Sequence, residues 1–363
     1  MALNNWCGFE GVGSTNEFVE VADHIFFTRE GIVGASHGVS DLLCRTGDDA
    51  RKGGTSLEVH DAGWVNLFGP IPDGEEHTFG IAVSTNGAGT IMTLGSGFTN
   101  VGSWNVAVVR DADNTYKFQH SGSLGTATTE YTWAVPALGT GQTSFCEYQY
   151  FELKVVLGTT GSYEFRVDGV TVASNSSVDM NEGGSNNFLV GNTNTGSSTG
   201  TRMDDFYHVD STGSAPYNDF LGPIHIERLY PSGAGSSTDF TPLSGSNHEN
   251  VDDEGRGDGD TSYNSTSTVG DKDLFTMSDI QHGGSGGLIY SVRHVTQAKK
   301  DVAEDNIDLT PIIKTGGTEH DGDQRSLIVS YDYVRKDYEQ NPATGSSWTE
   351  SEVNSLEAGY KSS

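Results

Sequence analysis

Strand signals recur about every ten residues along this chain, and that spacing constrains its fold more than any other feature. They include EFVEVADHIFFT, HTFGIAVST, WNVAVVRD, YKFQHSG and YFELKVVLG, with Gly, Asn, Asp or Pro between most of them. Many short strands joined by turns pack as two facing sheets, so the spacing predicts an all-β sandwich. In YFELKVVLG, Phe151, Leu153 and Val155 point one way and Glu152 and Lys154 the other, predicting one dry face and one wet face. YEFRVDGVTVAS then places Asp168-Gly169 between two alternating runs. A type I′ turn needs positive φ at both central positions, which Asp and Gly tolerate, so a hairpin is expected here.

A chain of 363 residues exceeds a typical single domain. Pro, Gly and Ser concentrate near residues 230–245, which predicts a first domain over 1–235 and a second over 236–363. Strands in the second are expected in GLIYSVRHVTQAKK, IDLTPIIKTGG and RSLIVSYDYVRKDYE. A short helix is expected in TESEVNSLEAGYK, where Thr349 can cap, Glu352 completes a capping box and Gly359 can terminate.

Composition bounds the partners. Fifty acidic against twenty basic residues give a formal charge of −30, which repels nucleic acid phosphates and anionic lipid heads. No direct nucleic acid partner is therefore expected. MALNNWCGFEGVG lacks a basic stretch and a long apolar core, so no signal peptide is read, and no apolar run suits membrane insertion. Cys7, Cys44 and Cys146 are odd in number and widely spaced, which fits buried free thiols in a reducing cytosol better than disulfides or zinc.

The stretch MDDFYHVDSTGSAPYNDFLGPIHIERLYPSGAG, residues 203–235, opens on two adjacent acids and closes on an alternating apolar segment read as a strand. After the DG hairpin, a strand beginning with acids and aromatics resembles the last strands of laminin-G-like and concanavalin-like jelly rolls. Together with DYEQNPATGSSWTESEVNSLEAG near the C-terminus, the stretch is similar to a group of tailed-phage virion structural proteins. Pro216-Tyr217 departs from the more polar loop of such relatives. The resemblance implies a lectin-like jelly roll followed by a second β-rich domain, in a protein made in the host cytoplasm and carried in the virion.

Motifs for chemistry were weighed against their structural readings. Period two sends Asp204 and Asp205 to opposite faces, so they do not aim at one ion through ordinary strand geometry, and a scaffolding role at a turn or strand edge is favoured. Retaining glycosidases of this fold place a carboxylate pair as E-x-D-x-(x)-E on one strand, and Glu147, Glu152, Glu164 and Asp168 do not match that run. No GxSxG elbow or GxxxxGK[ST] loop is present. The chain is accordingly expected to be no enzyme, with no catalytic residue and no cofactor.

The acidic loop VDDEGRGDGDTSY, with Asp252, Asp253, Glu254, Asp258 and Asp260, does not match the EF-hand template and reads first as a solvated loop. The alternative is a Ca²⁺ or Mg²⁺ site, with Asp252, Asp258 and Asp260 as the candidate hard-oxygen ligands. Trp64, Trp104, Trp133 and Trp348 either stack on sugars or fill the core. Two readings follow. In the main one, the chain is a non-enzymatic structural component of a tailed virus particle, binding copies of itself and other virion proteins through Tyr331, Tyr333 and Tyr338. In the alternative, it is a glycan-binding receptor module for host surfaces, with Ca²⁺ as a candidate aid.

Overall fold

The computed structural model describes residues 3–7, 9, 42–47, 51, 53–60, 63–98, 101–122, 126–138, 145–181, 186–193, 199–253, 257–282, 287–303 and 307–363. The strand expected in EFVEVADHIFFT lies outside them, as do Glu254 and the side chains of Cys44 and His60. The chain divides into two compact units, Met1–Ile226 and Glu227–Ser363.

The first unit is a lectin-like jelly-roll sandwich of antiparallel strands. These are β1 (Leu3–Cys7), β2 (Leu42–Gly47), β3 (Gly53–His60), β4 (Trp64–Phe68), β5 (Glu76–Thr85), β6 (Gly89–Gly95) and β7 (Trp104–Arg110). There follow β8 (Thr115–Gly122), β9 (Thr126–Ala134), β10 (Gln149–Val156), β11 (Gly158–Val167), β12 (Val170–Met180), β13 (Asn187–Gly191) and β14 (Gly200–Asp210). One sheet runs β12-β11-β10-β5-β14-β3-β2 with β1 also on β14; the other runs β4-β13-β6-β7-β8-β9. Period-two alternation buries one face of each against the other, with Phe79, Ile81, Phe118, Phe151, Leu153, Phe165 and Phe206 in the shared core. The DG hairpin forms as read: Asp168 and Gly169 both adopt positive φ, 50° and 79°, between β11 and β12.

Three readings are corrected by long-range contacts. Glu152 is not on a wet face: it is fully buried, because residues 217–222 cross the outer side of its sheet and the Gly222 N–H and the Tyr207 hydroxyl donate to it, at 2.8 and 2.6 Å. Ile224–Leu229 alternates but forms no strand; the Ile226 N–H donates to the Asp205 carboxylate at 2.7 Å. Asp204 and Asp205 lie mid-strand in β14, where a bulge between Asp204 and Tyr207 breaks the alternation and Asp205 takes φ 50°.

The second unit holds β15 (Pro231–Thr238), β16 (Thr241–Pro242), β17 (Asn264–Ser265), β18 (Lys272–Met277), β19 (Val292–Ala298), β20 (Asp308–Thr315), β21 (Thr318–Asp321), β22 (Arg325–Ser326), β23 (Asp332–Tyr338), α1 (Glu350–Asn354) and β24 (Glu357–Ser362). Its main sheet runs β15-β18-β24-β20-β21, with β22 on β20, beside the ribbons β19-β23 and β16-β17. Phe240, Phe275, Val334 and Tyr360 fill one apolar cluster; Ile313, Tyr338, Trp348 and Val353 fill another. α1 starts at Thr349 with the expected capping box.

Gly359, read as the helix terminator, instead sits inside β24. A Cβ there would lie 1.9 Å from the Asp273 carbonyl oxygen and 2.9 Å from the Leu274 Cα of β18. Gly359→Ala is therefore expected to force β24 off β18, at a cost of about 1–3 kcal/mol. Urea unfolding monitored by tryptophan fluorescence measures it, and an unchanged midpoint would show that the strands separate freely.

Candidate functional site

The chemistry most open to solvent in the jelly roll lies where β8 and β9 of one sheet and β11 and β12 of the other run out to the edge of the sandwich. Among the described residues β9 is the outermost strand of its sheet, and it is exposed along almost its whole length. Thr-rich TATTEYTWA suits a solvated edge: its β-branched residues hold the extended backbone while their hydroxyls meet water. Register brings the inner-face residues together, since Tyr131 pairs with Phe118 and Trp133 with Tyr116.

Beyond the Phe118–Tyr131 pair the register shifts and Gln119 pairs with Thr129, so Glu130 has no cross-strand partner and forms a bulge. The extra residue lets Glu130 reach the inner-face His120, whose Nδ1 lies 2.8 Å from Glu130 Oε1. The carboxylate can only accept, so Nδ1 carries the proton.

An aromatic run leads from the core to this edge. Phe118 and Phe165 stack at 4.3 Å, the Trp133 ring lies 6.0 Å from Phe165 and 5.3 Å from Tyr116, and Tyr131 stacks on Trp133 at 5.8 Å. The Trp133 indole N–H donates to Gln149 at 3.0 Å, which fixes the ring that backs Tyr131. Tyr131 itself is 37% exposed. Beneath Glu130, the buried Tyr163 ring lies 6.0 Å from His120; burial first, and then the Glu130 carboxylate, push its phenol pKa up. The cluster offers an aromatic platform, a carboxylate and a carboxylate-oriented imidazole on paired strands. Such groups can stack on an apolar ring face, accept from hydroxyls and move a proton.

The other nominated residues lie elsewhere. Asp204 and Asp205 are both fully buried. Asp205 accepts from Arg51 Nη1 at 2.5 Å and from the Ile226 N–H, with His225 at 3.3 Å; Asp204 accepts from the Arg51 N–H at 3.2 Å. They hold Arg51 and the segment that crosses the sheet. Arg202 and Glu58 form a second buried ion pair at 2.7 Å, with Arg202 stacked over Phe145.

His77 and His208 meet inside the sandwich, Nδ1 to Nε2, at 3.0 Å, beneath Phe68. Trp104 and Trp348 are core residues. Sequence reasoning nominated Trp133 but passed over His120, Glu130 and Tyr131. The signal available was Y-x-W in a Thr-rich strand, which puts two rings on one face.

In the second unit, Asp252 is exposed, Asp258 accepts from the Ser262 N–H and hydroxyl at 3.1 and 3.0 Å, and Asp260 accepts from Lys299 at 2.5 Å and Tyr331 at 2.9 Å. Among the described residues these three carboxylates do not come within ligand distance of one another. Tyr331 also lies under Lys299, Tyr333 is half-buried on the β19-β23 ribbon, and Tyr338 is buried in the core, with Trp348 donating to its carbonyl.

No protein-family model matches the chain, and no curated protein matches it in sequence. Solved structures match the jelly roll. An endo-β-1,4-glucuronan lyase from the fungus Trichoderma reesei shares 13% identity over 55% of this chain and 98% of its own, with a TM-score of 0.34. The alginate lyase Aly36B shares 13% over 56% and 95%, with a TM-score of 0.38. A carbohydrate esterase from the Shiga toxin-encoding bacteriophage phi24B shares 12% over 49% and 90%, with a TM-score of 0.35. The expectation that the chain is no enzyme is corrected here: the missing motifs exclude particular reaction classes and not enzymatic chemistry as such.

Proposed function

We propose that the jelly roll is a glycan-recognition module, with its contact surface at the β9 edge around Tyr131. One observation carries this reading: an exposed aromatic ring, backed by a second ring and flanked by a carboxylate and an imidazole, all fixed on paired strands. A sugar presents an apolar C–H face that packs on an aromatic ring and hydroxyls that donate to a carboxylate. Most other large aromatics of the unit are interior, so Tyr131 beside Glu130 departs from the surface a pure scaffold would present.

We infer a tailed virus particle as the setting, supported by the sequence resemblance of residues 203–235 and 337–359. Many copies beside other virion proteins would then multiply modest single-site affinity.

The test is a glycan panel probed with the full chain, followed by calorimetric titration of the best binder. Tyr131→Ala is expected to weaken binding about tenfold or more, about 1.4 kcal/mol, with the unfolding temperature unchanged. A panel without binders, or a Tyr131→Ala variant that binds as before, would overturn the proposal.

A further inference from the structure

The charges around this edge select among glycans. We propose that the site prefers sugars bearing a protonated amine over uronic or sulfated sugars, an assignment that rests on the glycan reading above.

Three observations lead there. First, Glu130 and Tyr131 are consecutive residues at the β9 bulge and both are exposed, so this edge offers a carboxylate and an aromatic ring on neighbouring positions. That pairing suits an ammonium, which gains a charge-assisted hydrogen bond from the acid and attraction to the ring. His120 Nδ1 donates one hydrogen bond to Glu130 Oε1, at 2.8 Å, and so fixes the carboxylate at this edge.

Second, the described cations of the jelly roll are already taken. Arg51 pairs with Asp205, Lys117 with Asp111, Lys154 with Asp219, Arg166 with Glu164 and Arg202 with Glu58. Arg110 donates to the Thr85 carbonyl at 2.7 Å and to Asn114 at 2.9 Å. A sugar carboxylate or sulfate would need a bidentate guanidinium or an ammonium of its own, and each of these is committed elsewhere.

Third, the formal charge of −30 adds a long-range field that attracts polycationic chains and repels polyanionic ones. The preferred ligand class is therefore a glucosamine-type polysaccharide, with N-acetylation, which removes the positive charge, acting against binding.

Calorimetric titration of the full chain with three oligomers of equal length decides this: glucosamine, its N-acetylated counterpart and a uronate. The glucosamine oligomer is expected to bind about tenfold more tightly than the acetylated one, with uronate binding lost. Its advantage should shrink at high salt, where exposed charges are screened. Glu130→Gln, which keeps the shape and removes the charge, is expected to bring the glucosamine and acetylated affinities within about twofold of each other. Equal or tighter uronate binding, or a Glu130→Gln variant with the preference intact, overturns the assignment. If acetylated or uronate oligomers bind best and Tyr131→Ala abolishes that binding, glycan recognition stands and only the amine preference falls. If none of the three binds, this assignment falls, and Tyr131→Ala tested on the glycan panel then judges the reading beneath it.

Discussion

Replacing Asp205 with Ala is expected to destabilise the jelly roll by about 3–5 kcal/mol, the usual cost of removing one partner of a buried ion pair. Asp205 is fully buried and the Arg51 side chain is 16% exposed, and the carboxylate also accepts from the Ile226 N–H. Alanine leaves the Arg51 guanidinium without its counter-charge and the Ile226 N–H without its acceptor, and both losses cost desolvation energy. It also removes the side chain from a residue at φ 50°, a conformation that Asp and Asn tolerate better than Ala. Asp205→Asn keeps the shape and the positive-φ tolerance, so it should recover part of the loss. Urea unfolding followed by tryptophan fluorescence measures both variants. An Asp205→Ala midpoint close to wild type would show that water replaces the carboxylate and that the segment over the sheet is not held by it.

Acid is expected to weaken the same unit well above the pH at which carboxylates titrate. Burial, and then the neighbouring His77, push the His208 pKa down from 6.5 to about 3, and burial also lowers His77. His208 stays neutral in the folded chain down to about pH 3, and His77 takes up its proton at lower pH than its unfolded counterpart does. The unfolded state then binds more protons, so stability is complete above pH 6.5 and declines as pH falls, at about 1.4 kcal/mol per unit for His208, with His77 acting in the same direction. For His208 the decline continues to about pH 3 and totals on the order of 5 kcal/mol.

Asp210 opposes the shift of both rings, and Glu75 and Glu76 oppose that of His77, but burial outweighs them. Unfolding free energies measured between pH 7 and about pH 5, above the ordinary carboxylate range, read the histidines, with Glu152, whose pKa burial raises, acting in the opposite direction. His208→Phe should flatten the slope whatever it does to absolute stability. An unflattened slope would assign the acid sensitivity elsewhere, with His294 of the second unit, pushed down to about 4 by burial, the next residue to replace.

What the sequence made legible was local. The DG hairpin and the Thr349 capping box each depend on a few adjacent residues, and both formed as read. The dry side of β10 followed from alternation, which needs only the strand itself. Readings failed where a distant segment intervened. Glu152 reads as solvated until residues 217–222 cover it, and Ile224–Leu229 reads as a strand until the Asp205 carboxylate takes the Ile226 N–H. Gly359 reads as a helix stop because its close approach to Asp273 involves a residue 86 positions earlier.

The candidate site was half legible for a related reason. Trp133 stood out as a large aromatic, but Glu130 and His120 come together only through a bulge, and a bulge breaks the alternation from which faces are read. The expectation of no enzymatic activity failed differently, by treating a few absent motifs as the absence of all chemistry.

The same bulge bears on how densely these chains can be crowded. An outermost strand presents unpaired N–H and C=O groups that can recruit a strand from a neighbouring molecule, and β9 is long and rich in β-branched residues. An unpaired residue mid-strand spoils the regular spacing such recruitment needs, and the Glu130 carboxylate adds repulsion between like copies. Straightening β9 by deleting Glu130 would remove the kink and the charge together and turn a sealed border into a seam along which molecules zip into aggregates.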